Sequence, residues 1–300
     1  VSTLMNLGAI SRKHPLSLGM VGMHGQKEAN QAVYQSDLLI TIGARFSDRV
    51  TGDVNHFAKG AVIAQIDIDD SEIDKNVTVD LSLIGDMAEI LDTLLEKVEE
   101  KKHPEWIAKI DSFRVDKQIA EDAFVPQNIF KVINKVLGDD VIVATDVGQH
   151  QMWTAQEWPF TKPRTNITSG GLGTMGFGLG AAIGAQMGNP GKRVIHISGD
   201  GSFRMNCNEL ATVSANELPV ITILFKNNVL GRQWQKLFFE KRYSATTLPD
   251  VIDYVKLAEA FGLGGYQVNT LPALEEALTK AAESGKGNLI ICDIDSGEDV

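Results

Sequence analysis

The chain has 300 residues, of which 43% are hydrophobic and 22% are charged, and its formal net charge is −11. This composition is typical of a globular protein with about two domains, and the sequence has no run of about 18 apolar residues that would span a membrane. The acidic charge, without a cluster of Lys and Arg, excludes nucleic acid as a partner. Two cysteines are too few for a disulfide framework and indicate a reducing compartment, so we expect a cytoplasmic location.

The first half of the chain alternates between helix-like and strand-like segments. Strand-like runs lie at 36–45 and 61–68, and helix-like segments lie at 26–35 and 86–102. In the last of these, apolar residues recur at helical spacing and Asp86 is the predicted N-cap. The charged stretch 103–124 has little apolar continuity, and we interpret it as a helical connector between two domains.

The second half repeats this alternation with longer apolar runs. The strand-like runs lie at 141–148, 193–198, 219–225, 265–268 and 288–294, separated by helix-like segments at 174–188, 204–216, 250–262 and 271–283. Continuous apolar strands that alternate with helices predict a parallel sheet covered on both faces. The sequence therefore predicts two α/β domains.

Polar residues follow three of the strands in the second half. "GDGSF" places Asp200 between two glycines, "LFKNN" ends in Asn227 and Asn228, and "VGQH" follows a third strand. Because functional residues of parallel sheets gather at the carboxyl ends of the strands, these oxygens are expected to converge. Such ligands suit Mg²⁺ with phosphate oxygens. A simple turn and helix cap remains the alternative for the Gly-Asp-Gly stretch, but the Asn pair favours the metal site.

A glycine-rich segment precedes Asp200. "GGLGTMGFGLGAAIGA", at 170–185, contains a Gly-x-Gly-x-x-Gly pattern that resembles a dinucleotide-binding fingerprint. The strand before it is weak and polar. We therefore interpret these glycines as part of a helix packed tightly under the sheet rather than as the dinucleotide-binding loop of a dehydrogenase. Met175 differs from its neighbours because it lies where the loop becomes a helix, next to the predicted metal site.

Glycine-broken loops in the first half carry His24, Arg45 and Arg49. Arginines beside a glycine turn suit phosphate or carboxylate groups, although surface ion pairs are the alternative. Asp67 lies at the end of the next strand. It could bind ribose hydroxyls, and the alternative is a solvated acidic turn. Trp234, close to the Asn pair, is interpreted as a pocket wall or as a core residue.

Together these motifs resemble one family over essentially the whole chain. "GDGSF" with "NN" resembles the thiamine-diphosphate-binding motif, and "DVGQHQMW", "LGMVGMHG", "GARFSDRVTG" and "RQWQ" resemble the catalytic subunit of acetohydroxyacid (acetolactate) synthases. The resemblance implies two Rossmann-like parallel-sheet domains. Residues 1–115 correspond to a central FAD-binding domain without its beginning, with a connector to about residue 124, and residues 125–300 to a thiamine-diphosphate-binding domain.

The resemblance also assigns roles to individual residues. Met175 is expected to support the bent cofactor, Trp234 to select the second 2-oxoacid, and Arg49 to bind its carboxylate. Asp200 and Asn227 correspond to Mg²⁺ ligands. Positions that contact thiamine diphosphate are Val147, Gly148, Gln149, His150, Gly173, Gly201 and Ser202. Positions that contact the flavin are Met23, His24, Gly43, Ala44, Arg45, Arg49, Val50, Asp67, Ile68 and Asp86.

The implied reaction belongs to branched-chain amino acid biosynthesis. Pyruvate is decarboxylated on thiamine diphosphate, and the hydroxyethyl unit is joined to a second pyruvate or to 2-oxobutyrate. The family works as homodimers or homotetramers, often with a regulatory subunit. Because the domain that carries the activating glutamate is absent from these residues, we expect the chain alone to be inactive. A non-catalytic cofactor-binding fragment and a related thiamine-diphosphate carboligase or decarboxylase are the alternatives.

Overall fold

The computed structural model describes residues 1–114 and 118–300, except for the side chains of residues 232–234. The chain forms two compact units: Val1–Thr3 with Leu18–Lys117, and Leu4–Ser17 with Gln118–Val300. All strand pairings given for the described residues are parallel, which confirms the predicted α/β class. No helix in the described part of the chain is long and apolar enough to cross a membrane.

The first unit contains a three-stranded sheet in the order β1-β2-β3. Its elements are α1 (Lys27–Gln35), β1 (Leu38–Ile42), α2 (Asp48–Thr51), β2 (Val62–Asp67), β3 (Leu81–Ile84), α3 (Met87–Leu95) and α4 (Pro104–Asp111). The carboxylate of Asp86 accepts the N–H of Ala88 at 2.8 Å, which confirms the predicted N-cap of α3. The helix ends earlier than predicted because Val98, the next apolar residue, is 65% exposed and no core holds another turn.

The second unit contains a six-stranded sheet in the order β5-β4-β6-β7-β9-β8. Its strands are β4 (Val141–Thr145), β5 (Asn166–Thr168), β6 (Arg193–Gly199), β7 (Ile221–Lys226), β8 (Gly264–Val268) and β9 (Asn288–Asp293). Its helices are α5 (Pro126–Leu137), α6 (Gln149–Glu157), α7 (Phe177–Gly188), α8 (Asp200–Phe203), α9 (Leu210–Ala215), α10 (Arg232–Phe238), α11 (Tyr254–Ala260) and α12 (Leu271–Ser284). The central strands β4, β6, β7 and β9 are almost completely buried, as expected for a sheet covered on both faces.

Residues 4–17 pack with the second unit, although the predicted boundaries place them in the first domain. The N–H of Arg12 donates to the carbonyl of Phe160 at 2.9 Å. The side-chain amide of Asn166 donates to the carbonyl of Leu4, also at 2.9 Å. The chain therefore contributes an early segment to the second unit, forms the first unit, and then completes the second.

Two glycines of α7 have different surroundings: Gly178 is tightly packed, whereas Gly180 faces open space. A Cβ added at Gly178 would lie 2.6 Å from the backbone nitrogen of Asp146 and 2.7 Å from Nε2 of His196, whereas one added at Gly180 meets nothing within 4 Å. We expect Gly178→Ala to destabilise the protein by about 1–3 kcal/mol through overpacking, while Gly180→Ala is neutral or stabilising by up to about 1 kcal/mol. Urea unfolding of the two variants tests this difference, and equal stabilities would contradict it.

Candidate functional site

The candidate site lies at the carboxyl ends of three adjacent strands, β4, β6 and β7. Asp200 is the first residue of α8, directly after β6, and Asn227 follows β7. The side-chain amide of Asn227 donates to Oε1 of Gln149, the first residue of α6, at 3.2 Å. The three strand ends that the sequence singled out therefore meet in one place.

The Asp200 carboxylate is buried and incompletely hydrogen-bonded. Its side chain is 1% exposed, and the backbone N–H groups of Asn227 and Asn228 bond to it. Its Oδ2 atom has no hydrogen-bond partner. Burial raises the pKa of this carboxyl, while Arg204 and the backbone N–H groups oppose the rise. A buried oxygen of this kind is costly unless something binds it.

The Asn pair supplies further oxygens beside Asp200. Oδ1 of Asn227 accepts the N–H of Val229 at a long 3.3 Å. Asn228 has a left-handed backbone (φ 55°) and a buried Oδ1 without a hydrogen-bond partner. Sequence reasoning treated Asn227 as the ligand and missed the free oxygen of Asn228. The described residues contain no cluster of three or more His, Cys, Asp or Glu for a metal, so a cation here would rely on amide, carboxylate and ligand oxygens, as Mg²⁺ does.

His150 is buried against Gly148 and against Gly199, the last residue of β6. A Cβ added at Gly199 would lie 2.7 Å from its Nδ1, and one added at Gly148 would lie 2.9 Å from its Cε1. Nε2 of this ring has no hydrogen-bond partner. Burial lowers the pKa of His150 to about 4, although the nearby Asp146 carboxylate works in the opposite direction. The imidazole is therefore neutral at physiological pH.

The neutral His150 makes stability depend on pH. The folded pKa of His150, about 4, lies below its unfolded value of about 6.5. The stabilisation of the folded state that comes from neutral His150 is therefore fully present above the unfolded pKa. It is lost as the pH falls from the unfolded pKa towards the folded one. We expect the free energy of unfolding to fall by about 3 kcal/mol over this range in the native chain, and by much less in His150→Asn. Urea unfolding at several pH values measures how the free energy of unfolding changes with pH in both proteins. An identical pH dependence would contradict the role of buried His150.

A buried polar network centred on Asp146 supports the end of β4. Its Oδ1 accepts the N–H of Gly178 at 2.9 Å, and its Oδ2 accepts the hydroxyl of Ser198 at 2.7 Å and faces Nε2 of His196 at 3.1 Å. His196 also contacts the hydroxyl of Thr222 at 3.3 Å. These bonds hold the pKa of Asp146 far below its ordinary value despite burial. Sequence reasoning missed this network because its members lie on separate strands.

The loop before α7 reaches the same edge of the sheet. The N–H of Gly176 donates to the hydroxyl of Ser202 at 3.1 Å, and a Cβ at Gly173 would lie 3.9 Å from Val147. Met175 is half-buried between these contacts. The predicted residues Val147, Gly173, Met175 and Ser202 are thus brought together. The side chain of Trp234 lies outside the described residues.

The predicted Gly201 and Gln149 have clear surroundings in the structure. A Cβ at Gly201 would lie 3.0 Å from Leu230. The amide of Gln149 donates to the carbonyl of Glu298 at 2.9 Å, and the indole N–H of Trp153 donates to the carbonyl of Asp299 at 2.8 Å. Residues 298 and 299 therefore pack against α6 beside the candidate site.

In the first unit, the predicted flavin positions lie at or near the carboxyl ends of β1, β2 and β3. The N–H of Met23 donates to the carbonyl of Arg49 at 2.8 Å. Burial, and then the Arg49 charge, lowers the pKa of the neighbouring His24. Asp67 is the buried last residue of β2. The other positions are accessible and either follow a strand or lie on α2: Gly43, Ala44, Arg45, Val50, Ile68 and Asp86.

Two family models match the sequence of this chain. The family described as "Thiamine pyrophosphate enzyme, C-terminal TPP binding domain" matches residues 146–292. The family described as "Thiamine pyrophosphate enzyme, central domain" matches residues 1–94. The chain belongs to the thiamine pyrophosphate enzymes. The first match covers Asp200 and both asparagines, so the site described above lies within the region of the TPP-binding family.

Curated relatives narrow the similarity within the thiamine pyrophosphate enzymes. The chain is 45% identical to the acetolactate synthase isozyme 2 large subunit of Escherichia coli, over 99% of the chain and 55% of the relative. It is 42% identical to the acetolactate synthase large subunit of Corynebacterium glutamicum, over 100% and 50%. It is 41% identical to a probable acetolactate synthase large subunit of Methanococcus aeolicus, over 98% and 53%. The chain spans about half the length of the curated relatives it matches.

Proposed function

We propose that this chain is the flavin- and thiamine-diphosphate-binding part of an acetolactate synthase large subunit. The proposed reaction decarboxylates pyruvate and joins the resulting hydroxyethyl unit to a second pyruvate or to 2-oxobutyrate. The buried Asp200 oxygen beside the Asn pair, within a family region that binds thiamine pyrophosphate, carries this proposal. The 45% identity to the E. coli relative supports the choice of reaction.

The donor set fits a magnesium ion with a diphosphate. The unpartnered Oδ2 of Asp200 and the amide oxygens of Asn227 and Asn228 are hard oxygen donors in a buried setting. Their small number leaves coordination positions for diphosphate oxygens and water. We assign Asp200 and Asn227 as the metal-binding residues, with Asn228 as a further donor.

The residues around this metal site are suited to bind and orient an anionic cofactor. α6 begins at Gln149, and because the start of a helix favours an anion, the diphosphate is proposed to lie there beside Gly148 and His150. Gly201 and Ser202 follow Asp200 in α8 and are proposed to contact the same diphosphate. Thiamine diphosphate, when bound, supplies the electron sink for decarboxylation. Val147 and Gly173, whose added Cβ would lie 3.9 Å from Val147, are proposed to contact the cofactor. Met175 is proposed to support its bent form, and Trp234 to select the second substrate.

The carboxyl edge of the first sheet is proposed to bind FAD. Its exposed arginines, Arg45 and Arg49, suit anionic groups, either of the flavin or of a 2-oxoacid. The domain boundaries proposed for these roles are 1–115 and 125–300, with residues 4–17 added to the second. We further propose self-association as a homodimer or homotetramer, a regulatory subunit as partner, and a cytoplasmic location.

Two assays test this function. In the first, thiamine diphosphate is titrated into the 300-residue chain with and without Mg²⁺, and tryptophan fluorescence reports binding. In the second, the chain replaces the matching region of the E. coli relative, and acetolactate formation from pyruvate is measured with Mg²⁺, thiamine diphosphate and FAD. Magnesium-dependent binding together with acetolactate supports the proposal.

The remaining outcomes separate the alternatives. Binding without acetolactate in the chimera would favour a non-catalytic cofactor-binding role. Carbon dioxide release from pyruvate without acetolactate would favour a related decarboxylase. A chain that binds neither thiamine diphosphate nor FAD would overturn the assignment.

A further inference from the structure

A fixed cation lies beside the proposed metal site. Nη2 of Arg204 lies 3.9 Å from Oδ2 of Asp200, four residues earlier in the chain. This distance is too long for a hydrogen bond, and Oδ2 remains without a partner. The Asp200 oxygen is therefore charge-compensated but still available to a ligand.

Two other contacts hold the guanidinium of Arg204 in this position. Its Nε donates to the hydroxyl of Tyr254 at 2.9 Å, and its Nη2 donates to the carbonyl of Pro249 at 3.1 Å. Tyr254 is itself 3% exposed and packs edge-on against Phe203, with ring centroids 6.0 Å apart. These contacts hold Arg204 short of a direct bond to Asp200.

The nearby cation Lys226 has different partners. Nζ of Lys226 pairs with Asp250 at 3.0 Å and with Asp293 at 3.1 Å. Two carboxylates thus compensate its charge. Among the residues that the structure describes, Arg204 is the cation that lowers the pKa of Asp200. A divalent ion on Oδ2 of Asp200 would be repelled by Arg204, whereas a diphosphate beside the ion would be attracted to both.

We propose that Arg204 suppresses binding of free divalent cations and thereby makes metal binding depend on the diphosphate. Tyr254 is a positioning residue that keeps Arg204 from occupying the Asp200 oxygen itself. The inference rests on the proposed magnesium–diphosphate site. The inference adds an order of binding to that site: the metal binds together with the diphosphate and binds poorly without it.

The test measures Mn²⁺ binding by electron paramagnetic resonance, with the metal alone and with thiamine diphosphate. Arg204→Met is expected to bind Mn²⁺ alone about tenfold more tightly than the native chain. By linkage, the enhancement that thiamine diphosphate gives to Mn²⁺ binding shrinks by a similar factor. Lys256→Met, which removes an exposed cation paired with Asp253, is the charge-matched control and is expected to leave both values unchanged.

Tyr254→Phe provides a test in the opposite direction. With one anchor removed, Arg204 moves onto Asp200, and we expect Mn²⁺ to bind several-fold more weakly. The same substitution in the Arg204→Met background is expected to have no effect, whereas a general structural role of Tyr254 would weaken binding in both backgrounds. Arg204→Gln serves as a second variant if Arg204→Met unfolds.

The outcomes distinguish this inference from the function on which it rests. Native-like Mn²⁺ affinity and an unchanged diphosphate enhancement in Arg204→Met and Arg204→Gln would overturn the role of Arg204 alone. If the native chain and every variant fail to bind Mn²⁺ even with thiamine diphosphate, the proposed metal site falls and this inference falls with it.

Discussion

Asp200→Asn is expected to weaken magnesium-dependent binding of thiamine diphosphate by at least about 100-fold. The substitution keeps the size of the side chain but removes the charge of the buried oxygen that lacks a hydrogen-bond partner. It also removes the anion that Arg204 compensates, so no charged donor of this cluster is left for the cation. Binding is measured by fluorescence titration at fixed Mg²⁺.

The matched control for this substitution is Asp253→Asn. Asp253 caps α11 through the N–H of Lys256 at 3.0 Å, and asparagine caps helices about as well as aspartate. We expect native affinity in the control. Equal affinity in the native chain and in Asp200→Asn would remove Asp200 from the metal site.

Asp146→Asn is expected to lower the free energy of unfolding by about 3–5 kcal/mol. The carboxylate joins Gly178, Ser198 and His196 in a fully buried network. An amide can still accept the N–H of Gly178, but its other end presents hydrogens where Oδ2 now accepts two contacts. Urea unfolding near neutral pH measures the loss.

The pH dependence gives a second measure of the same carboxylate. Because the folded pKa of Asp146 is held below its ordinary value, its stabilisation is fully present above the unfolded pKa and is lost as the pH falls towards the folded one. The difference between the native chain and Asp146→Asn should therefore narrow in acid.

Asp140→Asn is the contrasting variant. Asp140 pairs with Lys162 and Lys192 at 2.8 Å each but is exposed, and we expect little change in stability from its loss. A larger loss from Asp140→Asn than from Asp146→Asn would contradict the importance of burial.

The sequence predicted that Asp200 and Asn227 lie at one edge of the sheet because strand ends follow simple rules. A long apolar run that stops at a polar residue marks the carboxyl edge of a parallel sheet, and this holds for Asp200 and Asn227. The α/β class was predictable for the same reason. The strand β5 was harder to predict because it has only three residues, Asn166–Thr168, and its sequence is polar.

The supporting residues were not predictable because their role depends on tertiary contacts. Asp146 lies inside the strand-like run 141–148, and nothing in the sequence connects it with Ser198 or His196. Likewise Arg204 lies four residues after Asp200, but its position is set by Tyr254, fifty residues later in the chain. Spacing reveals neighbours on one element, whereas these contacts join separate elements.

The placement of residues 4–17 has a consequence for synthesis on the ribosome. This segment emerges before the first unit, yet its partners, Phe160 and Asn166, are translated about 150 residues later. At a translation rate of about 5–20 residues per second, these partners follow the segment after about 8–30 seconds. The first unit has time to fold in this interval, while the second cannot be completed until its own strands arrive. Slow translation or chaperone contact at this stage would therefore act on the second unit selectively.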